Sequence, residues 1–233
     1  MGQEYVKYVT VLNAYDSTPQ DGLLDEFDSV AGFASLGVGT VTITRTTTDV
    51  FTGGGAMNVA ITATGSQSPG IKRILPFPQQ RYIIMEFAVG VRAGNTFNKQ
   101  VTVDVLYYAS PKNGRFRFAF QNWDNDTMDI QVYDADLGSY ATIETALPVP
   151  IEGKTFFIVR AQIDTLDMQW VSLEIAGEKW NLEDYPLETV TDATDPDGVE
   201  CARLLITAQS LVNTNTVNFI MDRFKWMGTT YPQ

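Results

Sequence analysis

The stretch Arg115–Gln121, which reads RFRFAFQ, decides the fold. Apolar and polar side chains alternate along it, with Phe116, Phe118 and Phe120 in one set and Arg115, Arg117 and Gln121 in the other. Successive side chains of a β-strand point to opposite faces of the sheet. The alternation therefore predicts a strand with one buried face and one polar face.

The same period of two recurs on both sides of this stretch and predicts about ten strands. The segments with this pattern are Val38–Arg45, Ala56–Ala63, Arg81–Arg92, Gln100–Tyr108, Arg115–Gln121, Met128–Tyr133, Thr155–Asp164, Gln169–Ala176, Ala202–Ala208 and Thr216–Trp226. Gly, Pro, Asn and Asp occupy the breaks between them, as tight turns require. Helical periodicity is almost absent. We therefore predict an all-β antiparallel sandwich of the jelly-roll type, formed by residues 23–233 as one domain and preceded by an arm and linker at residues 1–22.

Composition excludes several classes of function. The 233 residues carry a net charge of -12 and contain no histidine and one cysteine, Cys201. Without histidine there is no Ser-His-Asp triad and no His metal site. The acidic balance argues against nucleic acid as a partner, because phosphate contacts need clustered Lys and Arg. No apolar run approaches the roughly 18 residues of a membrane span, so we expect no membrane insertion. Residues Met1–Thr10 show no secretory signal pattern.

The polar face of the central strands is a candidate ligand surface. If the strands are neighbours, it gathers Tyr82, Glu86, Asp104, Tyr108, Arg117, Gln121, Asp129, Gln131 and Tyr133, with Trp123 in an adjoining turn. Carboxylates, amides and guanidinium groups hydrogen-bond sugar hydroxyls, and aromatic rings stack on the apolar face of a sugar. The alternative is an ordinary solvated face with cross-strand ion pairs, and a tryptophan that covers the core.

The order of segments resembles the jelly rolls of the concanavalin A-like lectins and glucanases and of carbohydrate-binding modules. The stretches that carry the resemblance are Leu23–Phe33 (LLDEFDSVAGF), Phe51–Ala60 (FTGGGAMNVA), Phe157–Trp180 and the closing Val217–Trp226 (VNFIMDRFKW). The motifs are degenerate, so the resemblance bears on the fold more than on function.

The resemblance implies a structural calcium ion at Asp25, Glu26 and Asp222, since relatives bind calcium with an N-terminal acid and the closing Asp. The alternative is that Asp222 only hydrogen-bonds a turn. The glucanase branch places its catalytic acids as Glu-x-Asp-x-x-Glu. In this chain Glu26-Phe27-Asp28 is followed by Ala31 where the last Glu should stand. We therefore predict a non-catalytic protein, with a glycoside hydrolase or lyase as the minority alternative.

The sequence is compatible with three functions. The first is a surface protein that acts by assembly and adhesion, such as a virion decoration or fibre module, in which the β-rich segment at residues 5–12 pairs with another copy or another particle subunit. Such a protein would be soluble and exposed on a virion or cell surface after assembly. The second is a glycan-binding module that uses the polar sheet face, and the third is the hydrolase or lyase. An intramolecular edge strand is the alternative for residues 5–12.

Overall fold

The structure is a computed structural model and describes residues 22–27, 29–48, 50–51, 53–64, 68–76, 80–91, 99–109, 112–121, 127–148, 156–190, 201–210 and 214–232. The strand predicted at residues 5–12 and the residue Trp123 lie outside these ranges. The described ranges contain no helix, and hence no helix long and apolar enough to cross a membrane.

Sixteen strands occur in the described part of the chain. They are β1 (Gly22–Asp25), β2 (Ala34–Leu36), β3 (Thr40–Thr46), β4 (Ala56–Thr64), β5 (Gly70–Pro76), β6 (Tyr82–Val91), β7 (Lys99–Ala109), β8 (Lys112–Gln121), β9 (Thr127–Asp134), β10 (Ser139–Pro148), β11 (Phe156–Asp164), β12 (Gln169–Ile175), β13 (Glu178–Asn181), β14 (Glu188–Thr189), β15 (Cys201–Ser210) and β16 (Thr214–Thr229).

The strands form two antiparallel sheets that pack face to face. The first sheet has the order β13-β12-β11-β6-β16-β4-β3, and β1 pairs with β16. The second sheet has the order β10-β9-β8-β7-β15-β5-β2, and β14 pairs with β8. The predicted all-β antiparallel sandwich is confirmed.

The core lies between the sheets and is rich in aromatic side chains. Trp170 of the first sheet is fully buried and meets Phe116 edge-on, at 5.4 Å between ring centroids. Phe118 meets the same indole at 6.4 Å, and Phe120 meets Phe157 at 6.3 Å. Edge-to-face pairs of this kind add to the free energy gained by burying the rings. The alternation in Arg115–Gln121 therefore identifies the inward side chains correctly.

One prediction about the strands is wrong, and six strands were not predicted, of which β5 and β10 are the longest. The strand predicted at Arg81–Arg92 is β6 and belongs to the first sheet, so Tyr82 and Glu86 do not share a face with the polar side chains of β7, β8 and β9. Alternation separates the two faces of a strand but does not say which sheet the strand joins. The strands β5 and β10 were not predicted, because GIKRILP and SYATIETALP mix polar and apolar residues along both faces.

A tight turn after β11 fixes the hairpin that it forms with β12. One carboxylate oxygen of Asp164 accepts the N–H groups of Leu166 (2.9 Å) and Asp167 (3.1 Å). The other accepts Nε of Arg81 at 2.8 Å. Burial acts to raise the pKa of Asp164, but these hydrogen bonds outweigh it and hold the pKa below its ordinary value. The hairpin carries Trp170 into the core, so the turn supports the packing of both sheets.

A row of buried charge crosses the outer face of the first sheet. Glu86 lies opposite Arg160 on one neighbouring strand and Lys225 on the other. Its carboxylate oxygens are 4.0 Å from Arg160 Nε and 3.4 Å from Lys225 Nζ. All three side chains are less than a tenth exposed. Removing one member of such a cluster is costly, because it leaves the remaining charges buried without compensation.

We expect Glu86→Gln to lower the free energy of unfolding by about 3–5 kcal/mol, since glutamine keeps the shape but removes the buried anion that lies between Arg160 and Lys225. Chemical denaturation measures the change. Glu174→Gln is the matched control, because Glu174 lies opposite Arg160 on the other side and is only partly buried. The Glu174→Gln variant should lose about 1 kcal/mol or less of its free energy of unfolding. A Glu86→Gln variant as stable as the control would contradict the role given to this row.

Asp164→Asn should destabilise the protein at neutral pH and lose its effect in acid. The folded pKa of Asp164 is lowered, so its carboxylate contributes stability above the unfolded value of about 3.9 and loses it as the pH falls through the folded pKa. We expect a loss of about 1–3 kcal/mol at pH 7 that shrinks below pH about 4. Asp167→Asn is the control, because this exposed partner of Arg81 should matter little. If the free energy of unfolding changed with pH in the same way for both variants, the stabilising role given to the Asp164 carboxylate would be refuted.

Candidate functional site

The outer face of the second sheet brings most of the predicted ligand residues together. Asp104, Tyr108, Arg117, Gln121, Asp129, Gln131 and Tyr133 alternate with the core side chains of β7, β8 and β9 and therefore lie on this face. At its centre Asp104, Arg115, Arg117, Tyr133, Tyr140 and Glu188 form one contiguous cluster, which we call the platform.

Arg115 and Asp104 form the fixed base of the platform. Nε of Arg115 donates to one oxygen of Asp104 at 2.9 Å, and a terminal nitrogen donates to the other at 2.5 Å. This two-point geometry holds both planar groups in place. The hydrogen bond to Asp104 raises the pKa of Arg115. Both oxygens of Asp104 are engaged and its side chain is only 8% exposed, so Asp104 positions Arg115 and does not itself face a ligand.

Arg117 is held between an acid and two aromatic rings. A terminal nitrogen of Arg117 donates to Glu188 at 2.6 Å. Its guanidinium carbon lies 3.5 Å from the centroid of the Tyr133 ring, and Tyr140 meets Tyr133 edge-on at 5.4 Å. Stacking and ion pairing together restrict a side chain that is otherwise flexible. The platform therefore presents its polar groups in a pre-organised arrangement.

Glu188 reaches this face through a two-residue strand. The chain leaves the first sheet after β13, and Leu187 N–H donates to the Met168 carbonyl oxygen at 2.8 Å. The Tyr107 hydroxyl donates to Met168 Sδ at 2.9 Å. Pairing of β14 with β8 then sets Glu188 opposite Arg115. A side chain at Gly114 would begin 2.1 Å from the Tyr107 hydroxyl oxygen, so only glycine fits here. Met168, in the turn between β11 and β12, is thus in contact with the segment that carries Glu188.

Burial raises the pKa of the Tyr140 phenol. The neighbouring Arg117 and a side-chain hydrogen bond with Thr102 oppose this shift without cancelling it. Tyr140 is therefore a neutral hydroxyl at physiological pH. It can both donate and accept a hydrogen bond, as sugar hydroxyls also do.

Other predicted residues surround the platform. Gln131 Nε2 donates to the Thr142 hydroxyl at 3.1 Å, and Asp129 accepts the Ala146 N–H at 2.9 Å. Gln121 lies opposite Asp129 and Gln100 at one end of the sheet, and Tyr108 lies buried at the other. These contacts stabilise the edge formed by β9 and β10.

Some predicted site residues lie elsewhere, and some platform residues were not predicted. Tyr82 and Glu86 are on the outer face of the first sheet. Arg115 was predicted to face outward but was not included in the site, although its spacing from Arg117 could have placed it there. Tyr140 was not identified either, because SYATIETALP shows no clear alternation. Nothing in the sequence marks Glu188, because β14 is too short to show a period.

Two of the three residues implied as calcium ligands, Asp25 and Asp222, have other partners. Asp25 forms an ion pair with Arg73 and accepts the Phe27 N–H at 2.7 Å. Asp222 is fully buried and accepts the Phe51 N–H at 2.5 Å. Glu26 is exposed. The part of the chain that the structure describes contains no group of three acids or cysteines placed to hold a metal ion. Calcium binding by these residues stays an untested prediction.

No family model matches the chain, and no curated protein matches it at the sequence level. Solved structures do match. An endo-β-1,4-glucuronan lyase from the fungus Trichoderma reesei has a TM-score of 0.57 at 13% identity, over 91% of this chain and 96% of the lyase. A carbohydrate esterase from the Shiga toxin-encoding bacteriophage phi24B has a TM-score of 0.54 at 15% identity, over 91% of this chain and 99% of the esterase. A family 11 carbohydrate-binding module from Clostridium thermocellum has a TM-score of 0.44 at 13% identity, over 93% and 99%.

The chain has an antiparallel β-sandwich fold of the jelly-roll type, and its match to these solved structures is a match of fold. The resemblance found in the sequence is confirmed at this level. Identities of 13–15% establish the fold alone, so the chemistry of the site has to be argued from its own residues.

Proposed function

We propose that the protein binds carbohydrate through the platform on the outer face of the second sheet. The observation that carries the proposal is the fixed arrangement of Arg117, clamped by Glu188 and stacked on Tyr133 beside Tyr140. Guanidinium groups donate, carboxylates accept and phenols do both, so the set complements sugar hydroxyls. Groups already held in place lose less conformational entropy when a ligand binds.

The degree of burial favours this proposal over a merely solvated face. Arg117 is 15% exposed and Glu188 33% exposed. Charges on a solvated strand surface normally extend into water and pair weakly. Here they are packed against aromatic rings on a sheet face, where a ligand can exclude the remaining water. Two solved structures with TM-scores above 0.5 are named as a glucuronan lyase and a carbohydrate esterase, which lends further support to carbohydrate as the ligand class; a third, with a TM-score of 0.51, is named as a protein of unknown function.

We propose binding without turnover. The platform acids are engaged by arginine, with Asp104 held by Arg115 and Glu188 held by Arg117. A general acid in a glycosidase has to direct its carboxyl at the glycosidic oxygen, whereas these two carboxylates direct their oxygens at arginine. Release of new reducing ends, unsaturated sugars or acetate from a glycan that the protein binds would contradict this part of the proposal and favour the lyase or esterase alternative.

Assembly through residues 5–12 stays a prediction from the sequence, since that segment lies outside the described residues. It is compatible with carbohydrate binding, because a module on a particle surface can use its sheet face for a glycan and another segment for its own attachment.

A glycan array followed by titration of the best ligand tests the proposal. We expect Arg117→Ala and Tyr133→Ala each to weaken binding about 10- to 100-fold, the effect of losing one charged hydrogen bond or one stacking contact. Tyr82→Ala is the matched control, because this tyrosine lies beside an arginine, Arg81, on the other sheet. It should bind as wild type does. Thermal melting of each variant shows whether the fold is retained.

Binding that survives both platform substitutions in folded protein, or that is lost in Tyr82→Ala instead, would place the site on another surface. An array with no ligand at all would refute carbohydrate binding.

A further inference from the structure

A groove opens on the same sheet face as the platform and begins on β15, the strand next to β7. It lies on β2, β5 and β15 and has a volume of about 470 Å³. Its lining combines three cations, Lys72, Arg73 and Arg203, with apolar side chains that include Leu36, Ile74 and Leu205.

The charge of the groove is opposite to that of the protein. The chain has 28 acidic and 16 basic residues, yet neither Asp nor Glu lines the groove. Arg73 is fixed by its ion pair with Asp25 and by the Phe33 ring, whose centroid is 4.7 Å away. Lys72 and Arg203 form no ion pair with any residue that the structure describes. Lys72 and Arg203 are therefore available to an anion, whereas the charge of Arg73 is already matched by Asp25.

The apolar side chains of the lining indicate which kind of anion fits the groove. Ile74 is 46% exposed, unusually open for an isoleucine on a sheet, and Leu205 lies beside it. A bare inorganic anion would leave this apolar surface unused. A uronic acid has the matching combination, because its ring presents apolar C–H groups on one face and carries a carboxylate at its edge. Arginine and lysine recognise that carboxylate through charge-assisted hydrogen bonds.

The groove and the platform are continuous across the sheet. Lys72 lies opposite Leu205, Leu205 opposite Asp104, and Asp104 opposite Arg117, on four neighbouring strands. Strands about 4.8 Å apart put Lys72 and Arg117 roughly 14 Å from each other. One oligosaccharide that crosses the strands can therefore contact both places.

We propose that the groove binds the carboxylate of a uronic acid, so that the ligand is an acidic polysaccharide lying across the second sheet. This inference rests on the proposed carbohydrate binding and names the class of glycan. The protein as a whole is acidic and repels a polyanion. Attraction of the ligand therefore has to come from the cations of the groove and not from the net charge.

The test compares three polymers of matched length: polyglucuronate, the same polymer after chemical reduction of its carboxyl groups, and polyglutamate as a polyanion without sugar. Binding is measured by isothermal titration with the wild type and with Lys72→Gln, Arg203→Gln and the double variant. Lys179→Gln removes a cation from the exposed edge of the first sheet and serves as the control.

We expect the wild type to bind polyglucuronate at least about tenfold more tightly than the reduced polymer, and to bind polyglutamate weakly. Each groove substitution should weaken binding of polyglucuronate about tenfold and leave binding of the reduced polymer unchanged. Added salt should weaken polyglucuronate binding in the wild type and much less in the double variant.

Equal affinity for the acidic and reduced polymers, or an unchanged double variant, would overturn the groove assignment while carbohydrate binding still stood. Polyglutamate binding as tight as that of polyglucuronate would reduce the groove to a site for any polyanion and also overturn it. Binding of neither sugar polymer, together with an empty glycan array, would refute the proposed function itself.

Discussion

Strand β8 determines both the inside and the outside of the sandwich, because neighbouring side chains on it point to opposite faces. Phe116 and Phe118 pack against Trp170 from the other sheet. Arg115 and Arg117, the residues directly before them, then have to lie on the outer face, where they engage Asp104 and Glu188. A shift of one residue in the register would bury the arginines and expose the rings. The packing of the core therefore fixes the positions of the platform cations.

The two outer faces of the sandwich use charge differently. On the first sheet, Glu86 lies between Arg160 and Lys225 with little access to water, which suits a structural role. On the second sheet, Arg117 and Glu188 stay partly exposed beside tyrosines. The groove adds two cations without ion-pair partners among the described residues, Lys72 and Arg203. The net charge of -12 thus says little about the ligand, because the local arrangement of charge differs from the average.

Much of the fold could be predicted from the sequence, and the site only in part. A period of two identifies inward side chains such as Phe118 and Val103 because burial follows the alternation directly. The same period carries no information about strand partners, which is why Glu86 was assigned to the wrong surface. Glu188 could not be found at all. Its position depends on a connection between the sheets and on the small size of Gly114, which only the folded chain reveals.

We propose that the outer face of the second sheet is the ligand surface. Backbone amide chemical shifts, followed by NMR as an acidic oligosaccharide is added, test it most directly because they map contact without altering the protein. We expect shifts that are concentrated on β5, β7, β8, β9 and β15, with those of Arg117, Tyr133 and Arg203 among the largest. Shifts concentrated instead around Tyr82 and Asn218, on the outer face of the first sheet, would contradict it.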